Sequence, residues 1–438
     1  MKSPTNKWNQ FLSVSLAGMI LSIPQLTAEN HQAPRPPKAP AKAVDAWHDA
    51  AFGVFIHWTP SVVFQGRHKG QEMEKDLWGE WLMKRANIPI KDYEAALKTW
   101  NPSGFNADEW TDFFVHSGFK YMVFIAKHHD GFAMFDSDTT DYNIVDHSGF
   151  QHDPYGELCA AALKRGIRPS FYYSHGSDWR NMKGGKTRRK SPNADAYFKK
   201  IVYPQLTKLC SYAKPFVIWF DLGAPQPYAG KCLEIVRMLA TVRARGGNLL
   251  LNLGSDVRGR IPLRDQKILL QVGAWLKKNG NSIYGVKHTS YNDLPWEVCT
   301  AKPGQLFLHL LRWPSLDTLF LPGLKNEIES VRFLADPNRQ PLSFKKVEGG
   351  YTIDLTSAQL TPSFLSSADT VVEVKYIGDL SMRSIPCLDQ DLDNVFISHL
   401  ARKSGGARGR QVRHTSMAQY GSSMTVFNDS FAYPPLYQ

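Results

Sequence analysis

Cysteine is scarce, with five in 438 residues: Cys159, Cys210, Cys232, Cys299 and Cys387. No two are spaced as a metal knuckle, and the odd number excludes complete intramolecular pairing. Buried small hydrophobes are the expectation for them. Long apolar runs are also missing. The longest, "FLSVSLAGMILSI" at 11–23, is short for a bilayer crossing. No GxGxxG or Walker loop follows any apolar run, which counts against dinucleotide and P-loop folds. Two segments lack acids altogether: "KGGKTRRK" at 183–190 and "ARKSGGARGRQVRH" at 401–414 carry five cations each, within a net charge of +12. They read either as solvated loops or as an attraction for an anionic polysaccharide. Neither interleaves aromatics with its cations, so nucleic acid is not the expected partner.

What is present begins with a targeting pattern. Lys2 and Lys7 precede the apolar stretch and Ala28 offers a small residue for cleavage, so residues 1–28 read as a signal peptide and the protein as secreted or periplasmic. Residues 29–45 form a Pro-rich linker. From 46 to 285, short apolar runs alternate with capped helical segments. "AFGVFIHW", "KYMVFIAK", "RPSFYYSH", "PFVIWFDL" and "NLLLNLG" have the composition of strands covered on both faces. Asn106 with Glu109, and Asp153 with Pro154, start helices; Gly118 and Gly166 stop them. The alternation implies a parallel sheet, and strand ends bearing polar side chains favour a β/α barrel over a doubly wound sheet. After 286 the pieces become strand-length and turn-separated, which predicts an antiparallel β-sandwich to about 378. The basic stretch 379–438 predicts little regular structure.

The strand ending in "IAKHHDGF" raises a chemical question. Adjacent imidazoles beside a carboxylate suit a metal or a polyhydroxylated ring. A metal is disfavoured because HExxH is absent and neighbouring residues on a strand point to opposite faces. No cofactor is expected. Aromatics make up 12% of the chain, a supply of flat faces for sugar rings.

The blocks "FGVFIHW", "EWL", "FNADEW", "KHHDGFAMFDS", "FYYSHGSDW", "IWFD", "GGNLLLNLGSDVRGRIP" and "WLKKNGNSIYG" resemble, in order, those of the family 29 glycoside hydrolases, the α-L-fucosidases. The resemblance covers about 45–375 and implies a barrel with a C-terminal β-sandwich and a retaining hydrolase acting on fucosylated oligo- or polysaccharide. By the same resemblance His57, Glu80, Trp81, His128, His129 and Tyr172 are sugar-pocket positions and Asp221 is the nucleophile. Asp130 and Asp153 read as structural, holding a turn and a helix start.

One departure stands out. A retaining glycosidase needs a second carboxyl to protonate the leaving oxygen. In the family it lies between the nucleophile and the "GGNLLLN" strand. This chain has only 25 residues from Asp221 to Gly246, so the segment expected to carry barrel strands and the acid/base is missing and the barrel is expected to be incomplete. Glu234 falls within a helix and is not assigned the role; Glu72, Glu74 and Glu297 are candidates from other loops. The alternative expectation is a catalytically impaired barrel that binds fucosylated or sulfated glycans without hydrolysis. Oligomeric state is left open.

Overall fold

The computed structural model describes residues 40–72, 79–181, 194–220, 232–289, 291, 297–311, 313–314, 317–356, 369–383 and 424–426. Contacts divide the chain into Met1–Ala41 and Lys42–Gln438; the described elements lie in the second part, apart from the first residue of the opening helix. The signal-like stretch, both basic runs, Glu74 and Asp221 lie outside the described residues.

Along the chain run α1 (Ala41–Ala50), β1 (Phe52–His57), a small hairpin of β2 (Arg67–His68) and β3 (Gln71–Glu72), then α2 (Leu82–Arg85), α3 (Ile90–Leu97), α4 (Ala107–His116), β4 (Tyr121–Lys127), α5 (Pro154–Lys164), β5 (Phe171–Tyr173), α6 (Ala194–Tyr197), α7 (Tyr203–Tyr212), β6 (Ile218–Phe220), α8 (Cys232–Ala244), β7 (Asn248–Gly254) and α9 (Leu263–Asn279). The strands and helices follow the local signals. Asn106 accepts from the backbone N–H groups of Asp108 at 3.0 Å and Glu109 at 3.1 Å to open α4. Asp153 accepts from Gly156 N–H at 3.0 Å to open α5. Lys277 and Lys278 sit in the last turn of α9, where cations complement the helix dipole.

These strands form a parallel sheet in the order β7-β1-β4-β5-β6. The sheet curls. Flat strands spaced about 4.8 Å apart would leave β1 and β6, which are separated by two others, roughly 14 Å from each other. Yet Phe55 of β1 stacks on Trp219 of β6 with ring centroids 5.3 Å apart. Phe55, Tyr121, Val123, Ile125, Tyr172 and Leu250 form one buried cluster with Trp219 packed against it. The alternate residues, Val54, Ile56, Met122 and Phe124, belong to the larger core shared with the helices. This two-sided burial is that of a β/α barrel, with one side-chain layer inside and one under the helices. The curl does not close among the described residues. β6 bonds only β5, and its Ile218 and Phe220 are 38% and 44% exposed. At the other edge β16 (Met424–Val426) pairs in parallel with β7. The C-terminal extension, expected to lack regular structure, thus supplies one short strand.

The second region contains β8 (Lys287–His288), β9 (Glu297–Lys302), β10 (Gln305–Leu310), β11 (Thr318–Pro322), β12 (Ile328–Phe333), β13 (Ser343–Val347), β14 (Gly350–Asp354) and β15 (Thr370–Tyr376). One antiparallel sheet has the order β12-β15-β10-β9-β8 and the other β11-β14-β13. Leu306, Leu308, Val372 and Val374 of the first meet Leu319, Leu321 and Ile353 of the second in a separate core, as a sandwich requires. On the other face of the first sheet, Phe307 and Val371 join the barrel's core. Cys159 and Cys299 are buried as expected, but Cys210 is exposed; its position on α7 faces outward.

Candidate active site

β4 ends at Lys127, and the chain turns immediately. His128 and His129 therefore lie beyond the strand, and the strand rule that would send them to opposite faces no longer applies. Their ring centroids are 4.2 Å apart. The two rings therefore do not point to opposite faces as strand neighbours would, although no group of three or more His, Cys, Asp or Glu is assembled for a metal among the described residues.

Around this pair the structure gathers most of the expected positions. Tyr172 stacks on His128 with centroids 5.3 Å apart and planes 14° apart. Trp81, in the turn before α2, meets His129 edge-on at 4.8 Å and is 36% exposed. Its ring is within 5.6 Å of the Lys84 ammonium and 5.9 Å of the Arg85 guanidinium. His57 ends β1, packs on Phe55 at 4.2 Å, and is close enough that its charge acts on His128. Glu80, next to Trp81, is half-buried, and its charge is felt at Tyr93. Asp221 follows the last residue of β6 directly but lies outside the described residues. Of the alternative acids, Glu72 is exposed on β3 and Glu297 begins β9 in the antiparallel region.

Burial sets the electrostatics. His128 is 7% exposed, and its Nδ1 has no hydrogen-bond partner among the described residues. Burial, then repulsion from His129, His57 and Lys127, holds its pKa well below the usual imidazole value, so the ring is neutral at physiological pH. A neutral imidazole both donates and accepts, which matches a hydroxyl. Asp130 is 2% exposed. Its Oδ1 accepts from Phe132 N–H at 3.1 Å and its Oδ2 from the Tyr93 hydroxyl at 3.1 Å. Burial pushes its carboxyl up to about 6. With both oxygens committed it holds the turn, as the sequence suggested.

Several residues were missed. Lys127 is fully buried and donates to the Ser174 carbonyl at 2.8 Å, the Tyr197 hydroxyl at 3.0 Å and Asp178 at 3.4 Å. Burial pushes Asp178 up, but Lys127 and hydrogen bonds from Asn181 and Tyr197 outweigh it and leave the carboxyl below its ordinary value. Gly131 belongs to this arrangement. At φ +82° it adopts a backbone unfavourable to side chains, and a Cβ there would lie 2.5 Å from Asp178 Oδ1. Trp179 adds a third ring, 5.6 Å from His129 and 5.4 Å from Trp81. Its only sequence signal was its place in "FYYSHGSDW".

A β/α barrel with an imidazole pair just past the end of β4 and indoles in the loops beside it, followed by a β-sandwich, fits the class of barrel glycoside hydrolases. The sequence matches the profile of the Alpha-L-fucosidase family over residues 20–232 and 229–281, and the chain belongs to that family. It is 27% identical to human plasma alpha-L-fucosidase, covering 72% of this chain and 86% of that protein, and 25% identical to rat tissue alpha-L-fucosidase, covering 66% and 80%. The human alignment runs to 414 positions while taking in only 72% of this 438-residue chain. Among solved structures, the alpha-L-fucosidase from Vibrio sp. strain EJY3 superposes with a TM-score of 0.71 at 26% identity, covering 78% of this chain and 74% of that one. The GH29 alpha-L-fucosidase of Bacteroides thetaiotaomicron, trapped as a covalent intermediate with 2-fluoro-fucosyl fluoride, has the same fold, with a TM-score of 0.68 at 18% identity.

Proposed function

We propose that the protein is an exported, retaining α-L-fucosidase with Asp221 as nucleophile. The observation that carries this reading is the buried imidazole pair of His128 and His129 beyond the end of β4, enclosed by Tyr172 of β5 and by Trp81 and Trp179 from the neighbouring loops. The pair offers donors and acceptors to sugar hydroxyls, and the indoles offer apolar faces to the ring carbons and methyl group. Asp221 follows two residues after Trp219, which packs into the barrel interior. Its carboxylate would attack the anomeric carbon as the glycosidic C–O bond breaks. Water would then cleave the glycosyl ester and restore the carboxylate. The departing oxygen needs a proton, and general acid catalysis of that step is typically worth about 10²–10⁴-fold.

A second reading is favoured by one further set of observations. The family match falls into two stretches that meet at 229–232, and only 25 residues separate Asp221 from Gly246. A chain without the family's acid/base segment would be slow on natural linkages, and the site would then serve to bind fucosylated glycans.

Release from an aryl α-L-fucoside, whose leaving group needs little protonation, separates the readings. The fucosidase reading expects turnover by the wild type and a fall of at least about 10³-fold in Asp221→Ala. Equal rates in both would remove Asp221 from the chemistry. No release by either, together with saturable L-fucose binding, would establish the binding reading. Attraction of the basic runs for sulfated glycans predicts weaker binding to a sulfated fucose polymer as salt is added; binding indifferent to salt would discard it.

A further inference from the structure

Lys127 directly precedes the imidazole pair, and Asp178 directly precedes Trp179, the third ring of the site. Their side chains form an ion pair at 3.4 Å with no solvent exposure on either partner. The bonds around the pair fix its charges. Lys127 Nζ donates to the Ser174 carbonyl at 2.8 Å, to the Tyr197 hydroxyl at 3.0 Å and to Asp178 Oδ2. Tyr197 commits its own proton to Asp178 Oδ2 at 2.8 Å, so toward Lys127 it accepts. Three acceptors call for three N–H groups, which an ammonium has and a neutral amine lacks. Asp178 Oδ2 also accepts from the Asn181 side-chain amide at 3.1 Å, and Oδ1 from the Asn181 backbone N–H at 2.9 Å. A carboxyl that receives four bonds and gives none is a carboxylate.

The pair ties two loops together where the rings meet. Trp179 N–H donates to the His129 carbonyl at 2.7 Å, and the indole lies 5.6 Å from the His129 ring and 5.4 Å from that of Trp81. On the other side of Trp179, Arg180 donates to Glu94 at 2.6 Å and lies over the Tyr142 ring at 4.4 Å. Trp179 thus stands between two charged anchors, and the one at Asp178 is sealed from water, where an ion pair is least screened.

We propose that Lys127 and Asp178 are a positioning pair that fixes Trp179 against His129 as one wall of the sugar pocket and acts on the sugar through that ring. The assignment rests on the reading of this site as a fucose pocket. A buried ion pair is a weak source of stability; here it supplies preorganisation, since an indole already held in place needs no ordering when the sugar arrives.

Fluorine NMR of the full-length protein labelled with 5-fluorotryptophan reads the ring, with the Trp179 line assigned by its loss in Trp179→Phe. The wild-type line is expected to be narrow and to shift on addition of L-fucose. Lys127→Met with Asp178→Asn removes both charges and leaves neither buried alone. It is expected to displace or broaden the Trp179 line without sugar and to raise the dissociation constant for L-fucose about tenfold, the loss of one ordered aromatic face. Tyr197→Phe keeps both charges and removes only the bridging hydroxyl; it is expected to displace the line less, and it carries the comparison should the double variant not fold. In a Trp179→Ala background, loss of the pair is expected to change the dissociation constant by less than about twofold, because the ring through which it acts is gone. A Trp179 line undisplaced in every folded variant overturns the assignment whether or not fucose binds, and so do losses that simply add in the combined variant. A line displaced by the variants but indifferent to L-fucose in the wild type overturns instead the pocket reading on which the assignment rests.

Discussion

His128 and Asp130 stand two residues apart and respond to the same burial with opposite consequences. Burial depresses the imidazole's pKa, so the unfolded chain binds a proton at its usual value of 6.5 while the native ring stays neutral. The native state then loses stability as pH falls below about 6.5, because protons favour the unfolded chain. His128→Gln should flatten this acid limb, read as the unfolding midpoint between pH 7 and pH 5. An unaltered slope would mean that the ring titrates normally. Asp130 runs the other way. Its native pKa is raised from 3.8 to about 6, so stability declines as pH rises through that window. Asp130→Asn keeps the turn-holding oxygen and removes the charge. Its advantage over wild type should grow by about 3 kcal/mol between acid and neutral pH. Denaturant unfolding of both proteins across the window checks this; parallel curves would refute it.

At the scale of elements, the inner layer of the barrel is set by one small residue. Gly53 pairs with Tyr121 across β1 and β4, and a Cβ at position 53 would run into the Tyr121 ring. That ring is pinned by its hydroxyl, which donates to Asn248 Oδ1 at 2.8 Å, tying β4 to β7 across β1. Gly53→Ala should therefore cost about 1–3 kcal/mol as an overpacked core, despite the usual benefit of removing a glycine from a strand. A thermal midpoint equal to or above wild type would show that the ring can move aside. β6 presents the opposite condition. The preceding strands of the sheet, β4 and β5, are buried on both faces, while Ile218 and Phe220 are half-exposed.

At the scale of the molecule, barrel and sandwich are joined through buried polar groups. His309 Nδ1 lies 2.6 Å from Asp369 Oδ2, both without solvent exposure, and His309 Nε2 lies 3.2 Å from Thr300 Oγ1. Thr300 donates to the Ser282 carbonyl at 2.8 Å, and Trp275 of α9 donates to the Asp369 carbonyl at 2.9 Å. Asp369→Ala leaves His309 buried without its carboxylate and should cost about 3–5 kcal/mol. Equilibrium unfolding measures this, and a loss under about 1 kcal/mol would place water at the site instead.

The sequence by itself determined what depends on neighbours along the chain. Helix starts at Asn106 and Asp153 and the five apolar runs that became β1, β4, β5, β6 and β7 follow from capping, alternation and turn chemistry within a few residues. The blocks around His57, Trp81, His128, His129 and Tyr172 were legible as candidate sugar-pocket positions only through their ordered resemblance to the α-L-fucosidase family. Tertiary structure alone decided the rest. The contact of His129 with Ser174 spans 45 residues and that of Lys127 with Asp178 spans 51. Such pairs carry no local period, and a lysine in sequence reads as exposed until the fold removes water and supplies its partners. The adjacent histidines share one pocket because β4 ends before them, a boundary fixed by where β5 stops pairing, not by the residues themselves.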